Sequence, residues 1–332
     1  MKTVTKVSMA MLVVCAVFLA GVVQAKTLKI SHVRPQDTAI DKDLRWFSAK
    51  LKETSGGKMK AKIYPASSLG DYTVVQERVG LGAVDMACQP PASAADKRFQ
   101  VVYFPYMVKD WVQAKKNYSQ GAPLREVVGE LYAEQNIHLL AAWPVYFGGI
   151  SLNTEPVAPG DPEADKGIKL RVPPMKTFQM MADNTGYMGT PIPFSDAFTA
   201  VQTGVVDGVI GSGAEGYYAS FRDVTKYYIP SNTHFEVWYL IINKRYYDGL
   251  DEEQQQLLTD VAMQFENRRW ENAEADQAAN EQRLAEFGAE IVNISDDEIA
   301  SIAAKVHKTV WPEVLEDVGE AWGQGVLDSI VE

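Results

Sequence analysis

The sequence predicts an α/β protein of two similar lobes, with one long helix bracing both. Three observations carry that prediction. Strand-like and helix-like stretches alternate early in the chain, a nine-residue helix-to-strand pattern occurs twice, and a late segment of more than 30 residues lacks both proline and glycine. Such alternation lays strands side by side in a mostly parallel sheet covered by helices.

Residues 1–25 read as a secretory signal peptide. Lys2 and Lys6 lead an apolar run that closes on Val23-Gln24-Ala25, so cleavage is expected after Ala25. The run is short for a bilayer span, and no cationic cluster follows it. Its removal takes away two lysines and no acid, leaving 30 basic against 43 acidic side chains. A chain so acidic does not bind nucleic acid through its overall field. Of two cysteines only Cys88 remains, so no internal disulfide can form, and stability rests on a core to which 46% apolar residues can contribute.

"TLKISHV" (27–33) and "KMKAKIYP" (58–65) alternate as half-buried strands do. Between them Leu44, Phe47 and Leu51 recur at helical spacing until "SGG" (55–57) stops the helix. A second helix is expected over Tyr72–Leu81, then a strand at "AVDMAC" (83–88). "VGLGAVDMA" (79–87) returns as "VQTGVVDGV" (201–209). In each copy a helix would end at a glycine, Gly82 or Gly204, able to take the left-handed cap conformation. The repeat is what suggests two similar lobes. The proline- and acid-rich "TEPVAPGDPEADKG" (154–167) reads as the loop where the chain leaves the first lobe for the second. The apolar "THFEVWYLIINKRYY" (233–247) suits a second crossing. Residues 251–287 form the long helix, and Ser295-Asp296-Asp297-Glu298 is a capping box opening a last one.

Three chemistries fail on order or spacing. "GSGAEG" (211–216) has the G-x-G-x-x-G spacing of a dinucleotide turn, with Glu236 twenty residues later. Yet Glu236 precedes the strand-like "VWYLIIN" instead of following it, the turn does not start its own β-α-β unit, and free NAD is scarce outside the cytoplasm. The glycines instead predict a close backbone approach to something small. His32, His138, His234 and His307 are scattered without metal-ligand spacing, and no G-x-S-x-G elbow is present, so no metal, cofactor or hydrolytic nucleophile is expected.

The binding signal lies in "KGIKLRVPPMKTF" (166–178). Lys169–Val172 alternates as a strand ended by Pro173 and Pro174, which leaves Arg171 near its carboxyl end, where open α/β sheets bind ligands. An arginine there can hold a carboxylate or sulfonate with two parallel charge-assisted bonds. Its alternative is a surface arginine paired with one of the many acids.

This segment resembles the solute-binding components of tripartite ATP-independent periplasmic (TRAP) transporters, the DctP family, and the likeness covers almost all of the chain after residue 25. Residues 31–87 are similar to that family's opening, with G-G-K after the first helix, Y-P-x-x-x-L-G, and G-x-x-D before a strand. "GIKLRVP" is similar to the strand bearing its anion-binding arginine, "PIPFSDAFTAVQTGVVDG" to its signature helix, and "EVWYLIINKRYYDGLDEEQQQLL" to its later strand and long helix.

The resemblance implies a two-lobed periplasmic binding protein, not an enzyme, that closes on an organic acid and delivers it to the small and large membrane subunits of a permease. It places Arg171 where the family's selectivity arginine stands. A monomer is expected, with lobe I at 26–150 plus about 236–270, and lobe II at 151–235 plus about 271–332. Two departures from the family pattern bear on the ligand. Val209 to Gly213 replace the Q-E-N-P of many relatives, and "YFGGISLNTEP" (146–156) lacks their further arginine. A compact anion follows, carboxylate or sulfonate, with isethionate as the specific candidate. The alternatives are an aromatic, indole-type acid and, more remotely, a periplasmic enzyme. Ser212, Gln89, Arg34, Asn232 and Tyr146 are the further substrate-binding candidates. Of Trp143, Tyr146, Phe147, Tyr217, Tyr218, Phe235 and Trp238, most should pack the core and one or two wall the cleft.

Overall fold

The computed structural model describes residues 26–330, so the signal-peptide reading of residues 1–25 lies outside the described residues. In chain order the strands are β1 (Thr27–Ser31), β2 (Lys60–Tyr64), β3 (Met86–Gln89), β4 (Ile137–Phe147), β5 (Gly149–Leu152), β6 (Lys169–Val172), β7 (Met188–Pro191), β8 (Gly208–Ser212), β9 (Tyr227–Ile229), β10 (Phe235–Asn243) and β11 (Glu290–Ile291). They form two sheets, ordered β2-β1-β3-β10-β4 and β11-β9-β5-β8-β6-β7.

The parallel pairing expected from the alternation appears in both sheets. β1 pairs parallel with β2 and β3, and β6 with β7 and β8. The repeated motif takes the same form in each. Gly82 and Gly204 both have positive φ, 76° and 73°, which glycine adopts at least cost. The aspartate that follows accepts a backbone N–H from the neighbouring parallel strand: Asp85 Oδ2 from Lys29 at 2.8 Å, Asp207 Oδ2 from Lys169 at 2.9 Å.

Neither sheet is parallel throughout. β10 runs antiparallel to β3 and β4, and β5 antiparallel to β8 and β9. The cause is the way the chain crosses. Only Gly148 separates β4 from β5, so a nearly continuous strand serves both sheets, and the chain returns through residues 230–234 into β10. The crossing therefore lies ahead of the stretch 154–167, which joins β5 to β6 on the second sheet. No loop is needed, because the two crossing segments pair with each other: Gly148 N–H donates to the His234 carbonyl at 2.8 Å, and Thr233 N–H to the Gly148 carbonyl at 3.0 Å.

The proline- and glycine-free segment is one helix of 36 residues, Glu252–Phe287, about 54 Å long at 1.5 Å per residue. A reciprocal Asp251–Gln254 capping box starts it, and Gly288 at φ 112° ends it. Leu258, Val261 and Phe265 join the larger core, whereas Leu284 joins a second cluster around Val201, Val209, Tyr217 and Phe221 beside the second sheet. The helix also closes the open edge of β4. Glu266 Oε2 accepts Ala142 N–H at 2.7 Å, Arg269 donates to the Pro144 and Val145 carbonyls, and Gln277 Oε1 accepts Phe147 N–H at 2.8 Å. Side chains thus satisfy an edge that would otherwise stay unpaired. Ser295 and Glu298 form the expected capping box of the helix Asp296–Thr309. The two helices after it pack on residues 97–103, with the Trp311 indole N–H donating to the Pro105 carbonyl at 3.1 Å.

Candidate functional site

A cavity opens where carboxyl ends of parallel strands from both sheets meet. Val33 and Arg34 follow β1, Pro90 follows β3, Arg171 and Pro173 lie at the end of β6, and Gly211 and Ser212 end β8. Tyr146 comes from β4, and Glu236 and Trp238 from β10. Tyr72, Tyr103, Met175, Phe178 and Phe194 complete the walls. The space between the lining atoms, counted together with the solvent at its mouth, is about 400 Å³, so the cavity is narrow.

Contacts between the lobes surround it. Ser93 Oγ–H donates to the Pro174 carbonyl at 3.1 Å, and Asp71 Oδ2 accepts Ser195 N–H at 3.2 Å. Arg34, after β1, donates through Nε to Glu215 Oε2 at 2.9 Å, on the helix that follows β8.

Two arginines face the cavity, each only 1% exposed, and their partners differ. Arg34 has Glu215, with Tyr146 Oη and Ser212 Oγ each 3.5 Å from its Nη2. Burial acts against its charge, but Glu215 and Tyr146 outweigh burial and hold its pKa above the ordinary value. Arg171 donates through Nε to the Ile192 carbonyl at 2.8 Å, and among the described residues it has no carboxylate partner. Burial accordingly pulls its pKa below the ordinary value. The Phe194 ring lies between them, its centroid 4.8 Å from the Arg34 guanidinium carbon and 5.8 Å from that of Arg171.

A carboxylate lines the same cavity. Glu236 Oε1 accepts the Trp238 indole N–H at 2.6 Å and the Tyr103 hydroxyl at 3.4 Å, and its Oε2 is 3.1 Å from His234 Nε2.

The "GSGAEG" glycines approach these walls closely. A Cβ on Gly211 would lie 2.4 Å from Pro173 Cγ, on Gly213 2.5 Å from the Tyr146 ring, and on Gly216 2.4 Å from Arg34 Nη2. The dinucleotide spacing is therefore a packing requirement: the loop passes against the residues that line the cavity, and only glycine leaves them room.

Arg171, Arg34, Ser212 and Tyr146 thus come together on one cavity. Gln89 and Asn232 do not. Gln89 is buried, and its amide donates to the Tyr72 carbonyl at 2.8 Å, which anchors a neighbouring helix start. Asn232 takes a left-handed turn conformation, φ 49°, in the return to β10. Of the aromatic candidates Tyr146 and Trp238 wall the cavity, while Phe147 and Phe235 pack against Trp111. Glu236, Tyr103, Phe178 and Phe194 went unassigned in the sequence reading. Glu236 had a signal: a lone carboxylate within an apolar strand must be satisfied or used.

Among the described residues no group of three His, Cys, Asp or Glu is placed to hold a metal ion, and no helix is long and apolar enough to cross a membrane.

Residues 30–317 match the DctP family, described as bacterial extracellular solute-binding protein, family 7. The chain belongs to this family. A solute-binding protein of Albidiferax ferrireducens is 28% identical over 310 residues, covering 89% of each chain. The C4-dicarboxylate-binding periplasmic protein DctP of Rhodobacter capsulatus is 29% identical over 226 residues, 67% of this chain and 66% of that one. The crystal structure of a TRAP periplasmic solute-binding protein from Desulfovibrio salexigens, with bound orotic acid, superposes with a TM-score of 0.83 at 20% identity, over 91% of this chain and 96% of that one. The DctP-family chain is a solute-binding receptor and not an enzyme, and its fold is that of the Desulfovibrio salexigens protein.

Proposed function

We propose that this receptor captures a compact organic anion between its lobes, with a carboxylate or sulfonate on Arg171, and delivers it in the periplasm to the small and large membrane subunits of a TRAP permease. The observation that carries the reading is the contrast between the two buried arginines: Glu215 pairs with Arg34, whereas among the described residues no carboxylate lies within ion-pair distance of Arg171. A buried cation without a counter-charge is costly, and an anionic solute supplies one. The small cavity and the glycines of 211–213 support a compact solute, and isethionate is the specific candidate. Because Arg171 lies on one lobe and Glu236 on the other, a bound solute would touch both, and contacts made only when the lobes meet shift the protein toward its closed form.

A second reading, an aromatic acid of indole type, is supported by the Tyr103, Phe178, Phe194 and Trp238 rings around the cavity and by the orotic acid held in the Desulfovibrio salexigens protein. Thermal melts of residues 26–332 against small carboxylates, hydroxy acids, aromatic acids and short sulfonates separate the two. A solute at about 100 times its Kd stabilises by about 2.7 kcal/mol. A shift with a compact anion is expected. A shift with aromatic acids alone would replace the first reading by the second, and no shift with any anion would overturn both.

A further inference from the structure

We infer that the solute carries a hydrogen-bond donor, a hydroxyl or ammonium group, at the end away from its anionic group, and that Glu236 recognises it. The inference rests on the proposed binding of that anionic group at Arg171.

Charge accounting around the cavity leads to it. Three charged side chains line the cavity, Arg34, Arg171 and Glu236, and Glu215 stands behind Arg34. Arg34 and Glu215 pair with each other at 2.9 Å. What faces the solute is one cation and one carboxylate, 1% and 5% exposed. Arg171 alone would suit any small anion. A carboxylate on the same small cavity repels a simple anion, so a receptor for one would gain nothing from it. A solute that ends in a donor turns the same carboxylate into a contact, and analogues without the donor are rejected.

Glu236 has capacity for that contact. A carboxylate offers about four lone-pair positions. The Trp238 and Tyr103 donors both fall on Oε1, while Oε2 meets only His234 Nε2. Trp238 and His234 also fix the direction of the carboxylate, which makes it a pre-oriented acceptor. The two ends belong to different lobes, since Arg171 sits on β6 and Glu236 on β10. A solute lacking the donor would hold Arg171 on one lobe and leave Glu236 on the other without a contact.

Calorimetry with three two-carbon sulfonates isolates this group: ethanesulfonate, isethionate (2-hydroxyethanesulfonate) and taurine (2-aminoethanesulfonate). Propionate, 3-hydroxypropionate and β-alanine (3-aminopropionate) make the parallel carboxylate series. Within the series that binds, the hydroxylated or ammonium member is expected to bind at least tenfold more tightly than the member with neither. In E236Q that advantage should fall to threefold or less, with the donor-free member bound as well as before or better. Equal affinity across the series in the wild type would overturn the inference while leaving anion binding intact. A general loss of affinity in a folded E236Q, with the preference unchanged, would also overturn it, since Glu236 would then only hold the fold. If E236Q does not fold, the wild-type series decides alone. Binding of neither series would remove the compact-anion reading and this inference with it.

Discussion

Gly216 shows how one residue ties packing to binding. It lies inside the helix Ala214–Ser220, where alanine would ordinarily stabilise, yet a methyl there would sit 2.1 Å from Ser212 Oγ and 2.4 Å from Arg34 Nη2. Gly216→Ala is expected to lower the melting temperature, by about 1–3 kcal/mol of overpacking, and to weaken anion binding. Gly325→Ala, in a helix where a Cβ meets nothing within 4 Å, should instead stabilise, by about 0.5–1 kcal/mol. Equal melting shifts would remove the close-approach account of the loop. His32 gives a second residue-scale prediction. It is buried, and burial lowers its pKa to about 4 despite the Asp41 carboxylate 3.2 Å away. The unfolded chain therefore binds this proton first as pH falls, and the stability His32 contributes is complete above about pH 6.5 and is lost toward pH 4. The loss amounts to roughly 3 kcal/mol, and urea unfolding between pH 7 and 4 should show it shrink in His32→Gln. An unchanged pH dependence would place the acid sensitivity elsewhere. Of the site itself, Arg171 was legible because strand periodicity and the prolines after it fixed its position at a strand end. Gln89 satisfied the same rule but does not line the cavity, and its amide is taken by a backbone carbonyl that no local pattern reveals.

At the scale of elements, the long helix does more than span the lobes. Glu266 accepts Ala142 N–H at 2.7 Å and Gln120 N–H at 3.1 Å, and it lies 3.8 Å from Arg125. Glu266→Ala leaves the buried Ala142 N–H without its acceptor and the buried Arg125 guanidinium without its acid, which should cost roughly 3–5 kcal/mol. Glu271→Ala, on the exposed face of the same helix, should change stability by less than about 0.5 kcal/mol. Urea unfolding of both variants checks this, and similar midpoints would mean that the helix merely lies alongside β4. Strands, helices and caps were readable because each follows from spacing within a dozen residues. The return crossing was read from the apolar 233–247, but the first lobe crossing was not legible. Its signal was sought in a proline-rich loop, but the crossing is made by two strands that bond each other across Gly148 and Thr233, and continuous strands carry no compositional mark.

At the scale of the molecule, the cavity exists only because two sheets bring their strand ends together, so Phe178 and Phe194 were illegible as site residues until both lobes were in place. The same arrangement makes closure measurable. Small-angle scattering should show a smaller radius of gyration once an anion binds, and binding without compaction would contradict hinge closure. The central claim is that Arg171 holds the solute's anionic group. Calorimetric titration of the best-stabilising anion into the wild type and into Arg171→Ala tests it most directly. The account predicts saturable one-to-one binding in the wild type, and a loss of at least about a hundredfold, the order expected for a charged contact at a buried site, in a variant that still melts cooperatively. Undiminished affinity in folded Arg171→Ala would contradict it.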